Sequence, residues 1–94
     1  MADVNLAREA KRGTVSAAAV AERLCVVVFK NGKVDGRYAM SFDDLVTVSR
    51  FTVPELATGL AAGLKRDWFA RDKARAVLKA AGIHIAKKAL GRLA

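Results

Sequence analysis

The stretch Cys25-Val26-Val27-Val28-Phe29-Lys30-Asn31-Gly32-Lys33-Val34-Asp35-Gly36-Arg37-Tyr38-Ala39-Met40 decides how the chain is read. Its first five residues are apolar and mostly β-branched, which favours a strand. Asn31-Gly32 then supplies two residues that tolerate positive φ, the signature of a two-residue hairpin turn. A turn there sets Lys30 opposite Lys33, Phe29 opposite Val34, Val28 opposite Asp35 and Cys25 opposite Tyr38. One face of the ribbon is then Cys25, Val27, Phe29, Val34 and Tyr38, all apolar. The expectation is one β-hairpin over about 25–40.

Helical patterns flank the hairpin. On the N-terminal side, Ser16 can cap a short helix over Val15–Leu24, with Ala17, Val20, Ala21 and Leu24 on one face. Residues 1–13 carry no sustained apolar stripe and read as a flexible arm, leaving 14–94 as a single domain. On the C-terminal side, Ser41-Phe42-Asp43-Asp44 resembles a capping box opening a helix to about Arg50. Thr52, Pro54 and Glu55 mark a second start, with Phe51 placed to staple onto Leu56.

Beyond that start, Trp68 to Ala81 reads as a helix ending at Gly82, and Ala86 to Leu93 as a short basic one. The pair 53–63 and 67–81 has the outline of a helix-turn-helix. One bent helix from Val53 to Ala81 is the plainer alternative. Gly59-Leu60-Ala61-Ala62-Gly63 is a GxxxG pattern that lets another helix approach closely or marks a helix end. The fold class is α+β: an N-terminal helix, one hairpin, then three to four helices.

Charge points to the partner. From Lys65 to Ala94 there are nine Lys/Arg and two acids, a net of +7, whereas the first sixty-four residues carry eight and seven, a net of +1. A basic surface on one end of a small protein attracts polyanions and holds them by releasing their counterions. On a helix over 68–81, Arg71, Arg75 and Lys79 form an i, i+4, i+8 stripe about 12 Å long, with the Trp68 indole at its head. Lys65, Arg66, Lys87, Lys88 and Arg92 flank the stripe as phosphate contacts. The expected function is that of a small nucleic-acid-binding protein, regulatory or architectural, taking DNA rather than RNA. An RNA-stacking sheet is disfavoured because Phe29 and Tyr38 fall on the ribbon's apolar face. The alternative is a phage- or plasmid-type inhibitor or adaptor whose basic end docks on an acidic protein surface.

Other chemistries have little to stand on. One Cys and one His exclude a standard four-ligand zinc site from this chain alone. Cys25 and His84 could form a nucleophile–base pair, but Cys25 opens an apolar run where a thiol usually packs. Asp43, Asp44, Glu55 and Asp67 all have a capping explanation, so no carboxylate pair is left for acid–base work. The expectation is no enzyme, no cofactor and no metal. No apolar run approaches the ~18 residues of a membrane span, and a reduced cytoplasmic setting is expected. Thirty large apolar side chains make a thin core, and a lone ribbon leaves its edges unpaired, so a homodimer is expected.

Overall fold

The computed structural model describes residues 16–93. The expected N-terminal arm lies outside them.

The first element is a helix, α1 (Ala17–Asn31), and it takes in the run that reads as a strand. Ser16 caps it, its Oγ accepting from the Ala19 N–H at 3.1 Å. Val20, Ala21, Leu24, Cys25 and Val28 are buried, the i, i+1, i+4, i+5, i+8 stripe of an amphipathic helix. The strand reading of residues 25–31 is therefore corrected. Intrinsic β preference spans only about 1 kcal/mol. Continuing the Val20–Leu24 stripe through Cys25 and Val28 buries two further side chains, each worth up to about 1.5–3 kcal/mol. Asn31 and Gly32 end this helix instead of turning a hairpin. The Gly32 N–H donates to the Val28 carbonyl at 2.8 Å, and Asn31 Nδ2 donates to the Val27 carbonyl at 3.0 Å.

The hairpin turns four residues later. Strands β1 (Lys33–Val34) and β2 (Arg37–Ser41) flank Asp35-Gly36, whose φ angles are 51° and 78°. Both central residues are left-handed, as a type I′ turn requires, and Val34 pairs with Arg37 across it. The turn type is the expected one at a different dipeptide. The cross-strand pairs expected around Asn31-Gly32 do not form, although the Phe29 and Tyr38 rings still meet, with centroids 4.9 Å apart.

The next two helices start where the caps place them. Ser41 Oγ accepts from the Asp44 N–H at 3.1 Å to open α2 (Phe42–Ser49). Thr52 and Glu55 form a reciprocal capping box at the head of α3 (Val53–Lys65). Three residues join the two helices, with Arg50 left-handed at φ 65°. The GxxxG residues serve close approach. A methyl group on Gly59 would strike Val20 of α1, and one on Gly63 would strike the Phe69 ring. Gly59→Ala should gain about 1 kcal/mol of helix propensity and lose about 1–3 kcal/mol to overpacking. The expected net is a loss of about 1 kcal/mol, read from a urea midpoint at unchanged slope.

Residues 68–81 are not a helix. Asp67 is left-handed at φ 65°, and the chain reverses into β3 (Phe69–Asp72) and β4 (Arg75–Leu78), joined by Lys73-Ala74. Phe69 pairs with Leu78 and Arg71 with Ala76, so Phe69, Ala76 and Leu78 share the buried face. As a helix this segment would bring Ala70, Ala74, Val77, Leu78 and Ala81 to one face, mostly small side chains that leave Phe69 out of the core. Period two buries Phe69 together with Leu78, and that burial decides the segment. The second helix of a helix-turn-helix within 53–81 therefore does not exist, nor does one bent helix over 53–81. The final helix, α4 (Ala80–Leu93), runs through Gly82 without stopping there. Gly82 sits where a side chain would meet the Trp68 carbonyl and Leu78.

All strand pairs are antiparallel, in the order β1-β2-β4-β3. β2 joins the two hairpins through Ala39↔Val77, Met40↔Ala76 and Ser41↔Arg75. The core lies between this sheet and the helices, around Phe69, Leu24, Leu45, Leu56, Val28 and Cys25. The chain is a small α+β domain with four helices and four strands among the described residues.

Candidate nucleic-acid interface

The cations of the C-terminal third fall into three places. Lys65 ends α3, and Arg66 caps it by donating its N–H to the Ala62 carbonyl at 3.1 Å. The Arg66 guanidinium lies over the Trp68 ring, 5.5 Å from its centroid. Trp68 is half-buried and packs against the core, so one face of its indole already has a cation on it.

The expected i, i+4, i+8 stripe is replaced by a hairpin. Arg71 lies on β3, Arg75 on β4, and Lys73 in the turn between them. Strand alternation sends Arg71 to the face shared with Phe69 and Arg75 to the opposite face. The two-residue turn nonetheless gathers Arg71, Lys73 and Arg75 at one tip, and all three are exposed. None makes an ion pair with a described residue. Lys79 stands apart at the base of the hairpin, where its Nζ is bonded to Asp67 Oδ1 and its backbone N–H donates to the Trp68 carbonyl.

The third place is α4. Lys87 and Lys88 are exposed there, and Arg92 is tied to Glu22 of α1 at 2.9 Å. The structure thus brings together Arg71, Lys73 and Arg75, leaves Lys65, Arg66, Lys87 and Lys88 unpaired with described residues, and engages Lys79 and Arg92 in exposed ion pairs. Such pairs are worth about 0–1 kcal/mol and yield readily to a competing anion.

A groove that the sequence does not announce opens between α2, α3 and the β3–β4 hairpin, with a volume of about 490 Å³. Ala57, Leu60, Ala61 and Leu64 of α3 line one side at i, i+3, i+4, i+7 spacing. That spacing is visible in the sequence, but the hairpin facing it is hidden behind a helical period. Arg71, Lys73 and Arg75 also line it.

Lys73 holds φ 58°, a region that costs a non-glycine residue roughly 1–2 kcal/mol. Lys73→Gly should therefore raise stability by up to about 1 kcal/mol, after the roughly 0.5–1 kcal/mol entropy cost of glycine, while removing one tip charge. Thermal denaturation beside the parent chain reads the sign.

Cys25 and His84 are not a catalytic pair in geometry. Cys25 is fully buried in α1, whereas His84 is exposed on α4. Burial, reinforced by the Glu22 carboxylate, pushes the Cys25 thiol up to about 12. Because that folded value is raised, its contribution to stability is complete below the unfolded thiol's range and is lost as pH climbs from about 9 toward 12. Below pH 9, thiol reagents should modify Cys25 only as fast as the chain opens; modification at the rate of a free thiol would place it outside the core.

Among the described residues, no cluster of three or more His, Cys, Asp or Glu side chains could hold a metal ion, and no helix is long and apolar enough to cross a membrane. Comparison with protein-family models, with curated proteins and with solved structures finds no match for this chain.

Proposed function

We propose that the chain binds nucleic acid, duplex DNA in preference to RNA, as a small regulatory or architectural protein. The observation that carries this reading is the set of cations between 65 and 75. Lys65, Arg66, Arg71, Lys73 and Arg75 end α3 and form the tip of the following hairpin, and all are exposed without an ion-pair partner among the described residues. The element order supports it by analogy of fold alone. Two helices joined by a three-residue turn, α2 and α3, are followed by a hairpin whose strand β4 pairs back to β2. That is the outline of a winged helix-turn-helix, with α3 in the recognition position and β3–β4 as the wing.

The exposed residues of α3 limit how sequence is read. They are Val53, Pro54, Ala57, Thr58, Ala61 and Lys65, of which only Thr58 and Lys65 carry a hydrogen-bonding group. Binding should be dominated by phosphate contacts and tolerant of sequence. Phe29 and Tyr38 stack on each other, half-buried, and offer no sheet platform for RNA bases.

Fluorescence anisotropy of a labelled random-sequence duplex tests the proposal. Affinity should fall linearly in log–log form as salt rises, and single-stranded RNA should bind more weakly. Absence of binding at low salt, where counterion release is greatest, would defeat it. Capture of one acidic protein by a chain that ignores duplex would support the inhibitor or adaptor reading instead.

A homodimer would have to form differently from the ribbon-to-ribbon sheet expected of a lone hairpin. That edge is occupied within the chain, because β2 pairs with β4. The free edges are those of β1 and β3, and a twofold pairing through the longer one, β3, would run antiparallel and set the two hairpin tips at opposite ends of the joined strands. Light scattering should then give twice the 10.0 kDa chain mass. A single-chain mass at tens of micromolar would remove the proposal.

A further inference from the structure

The groove between α2, α3 and the β3–β4 hairpin has the make-up of a ligand site. Its volume of about 490 Å³ falls in the range, roughly 300–1,000 Å³, of small-molecule pockets. Leu45 and Phe69, almost wholly buried, form its floor, and Leu60 and Leu64 of α3 form a wall. Ala57 and Ala61 keep that wall low, so the apolar surface stays open. Arg71, Lys73 and Arg75 also line the groove, Arg71 from the Phe69 face of the ribbon and Arg75 from the opposite face, and no described lining residue is acidic. The nearest acid in sequence, Asp72, is engaged by Arg37 at 3.4 Å. Asp43 and Asp44 follow Phe42 on α2 but do not line the groove.

An apolar floor beside cations that pair with no described residue selects for an apolar body that carries a negative head. Water in the groove gains little from its walls, and Arg71 and Lys73 make no ion pair with a described residue. We propose that this groove binds a small anionic amphiphile: one carboxylate or sulfonate head on an extended or aromatic apolar body. The body lies along Leu60 and Leu64 over Phe69, and the head meets Arg71, whose fork can take both oxygens, with Lys73 of the turn adding charge. The site stands without the nucleic-acid reading. Where both hold, ligand and duplex compete for Arg71 and Lys73.

Decanoate tests this on the full chain in 150 mM salt, below its aggregation threshold, followed by methyl NMR. Decyltrimethylammonium serves as the probe of equal chain length and opposite charge. Decanoate should saturate one site, shift the methyls of Leu45, Leu60 and Leu64, and bind at least tenfold more tightly than the cationic probe. Ala61→Phe, at an exposed position of α3, should fill the groove and weaken decanoate at least tenfold with melting unchanged. Arg71→Gln should weaken decanoate about three- to tenfold without weakening the cationic probe. Should Ala61→Phe fail to fold, Ala57→Phe and Arg71→Gln carry the same test. Equal affinity for the two probes, shifts centred away from these leucines, or indifference to groove filling would overturn the proposal. So would decanoate failing where a designed acidic amphipathic peptide shifts the same methyls, which would make the groove a protein-docking site.

Discussion

Phe69→Ala is expected to remove about 3–5 kcal/mol of unfolding free energy, the largest single loss among the described residues. Phe69 is 2% exposed and is the largest of the fully buried side chains. Its ring lies against Gly63, where a methyl group would already clash, and its cross-strand partner is Leu78, itself buried. It therefore joins α3 to the β3–β4 hairpin, and truncation leaves a cavity that neither a helix backbone nor a four-residue strand can easily collapse to fill. For a domain with about 5–15 kcal/mol in total, the loss is a large share of stability. Arg71, two residues along the same strand on the same face, is the control. It is exposed, so Arg71→Ala should stay within about 0.5 kcal/mol. Urea unfolding followed by circular dichroism compares the two. Equal effects of the two changes would mean that the 69–78 segment does not pack as a hairpin.

The same segment shows what sequence can and cannot carry. Ser41, Thr52, Pro54 and Glu55 announce α2 and α3 because a cap is a local contract between a side chain and the next turn's N–H groups. The segments 25–31 and 68–81 mislead for one shared reason. Val26, Val27 and Phe29 favour a strand locally, yet Val20, Leu24 and Val28 need one helix stripe to reach the core. Trp68 to Ala81 fits a helical period, yet Phe69 and Leu78 bury only when they stand opposite each other. In both cases long-range burial outweighs a local preference of about 1 kcal/mol. The Lys73-Ala74 turn contains no Gly, Asn or Asp to advertise it, whereas two dipeptides, Asn31-Gly32 and Asp35-Gly36, compete for the first hairpin. Charge is legible because it is a sum over residues and needs no conformation. Its arrangement is not, because Arg71 and Arg75 share a helix face at i, i+4 but fall on opposite faces of the ribbon, across from Ala76 and Asp72.

That arrangement sets the second large effect, which concerns binding and rests on the proposed nucleic-acid function. Replacing Arg71, Lys73 and Arg75 together with glutamine should lower the salt slope of duplex binding by about 2.7, at roughly 0.9 for each phosphate no longer neutralised. If the parent and variant lines meet near 1 M salt, that slope difference is a loss of about 500-fold at 0.1 M. The change takes the formal net charge from +8 to +5. A purely diffuse attraction to the whole basic protein would be indifferent to which three charges went. Lys87→Gln/Lys88→Gln is the comparison, since both residues are exposed on α4. If the hairpin tip inserts at the duplex, the triple change should cost far more per charge than the α4 pair. Equal cost per charge would mean that nucleic acid sees only the net field. The fold should survive both sets of changes, because Arg71, Lys73 and Arg75 are exposed and make no ion pair with a described residue. Unchanged urea midpoints are therefore the control that ties weakened binding to the missing cations rather than to a damaged fold.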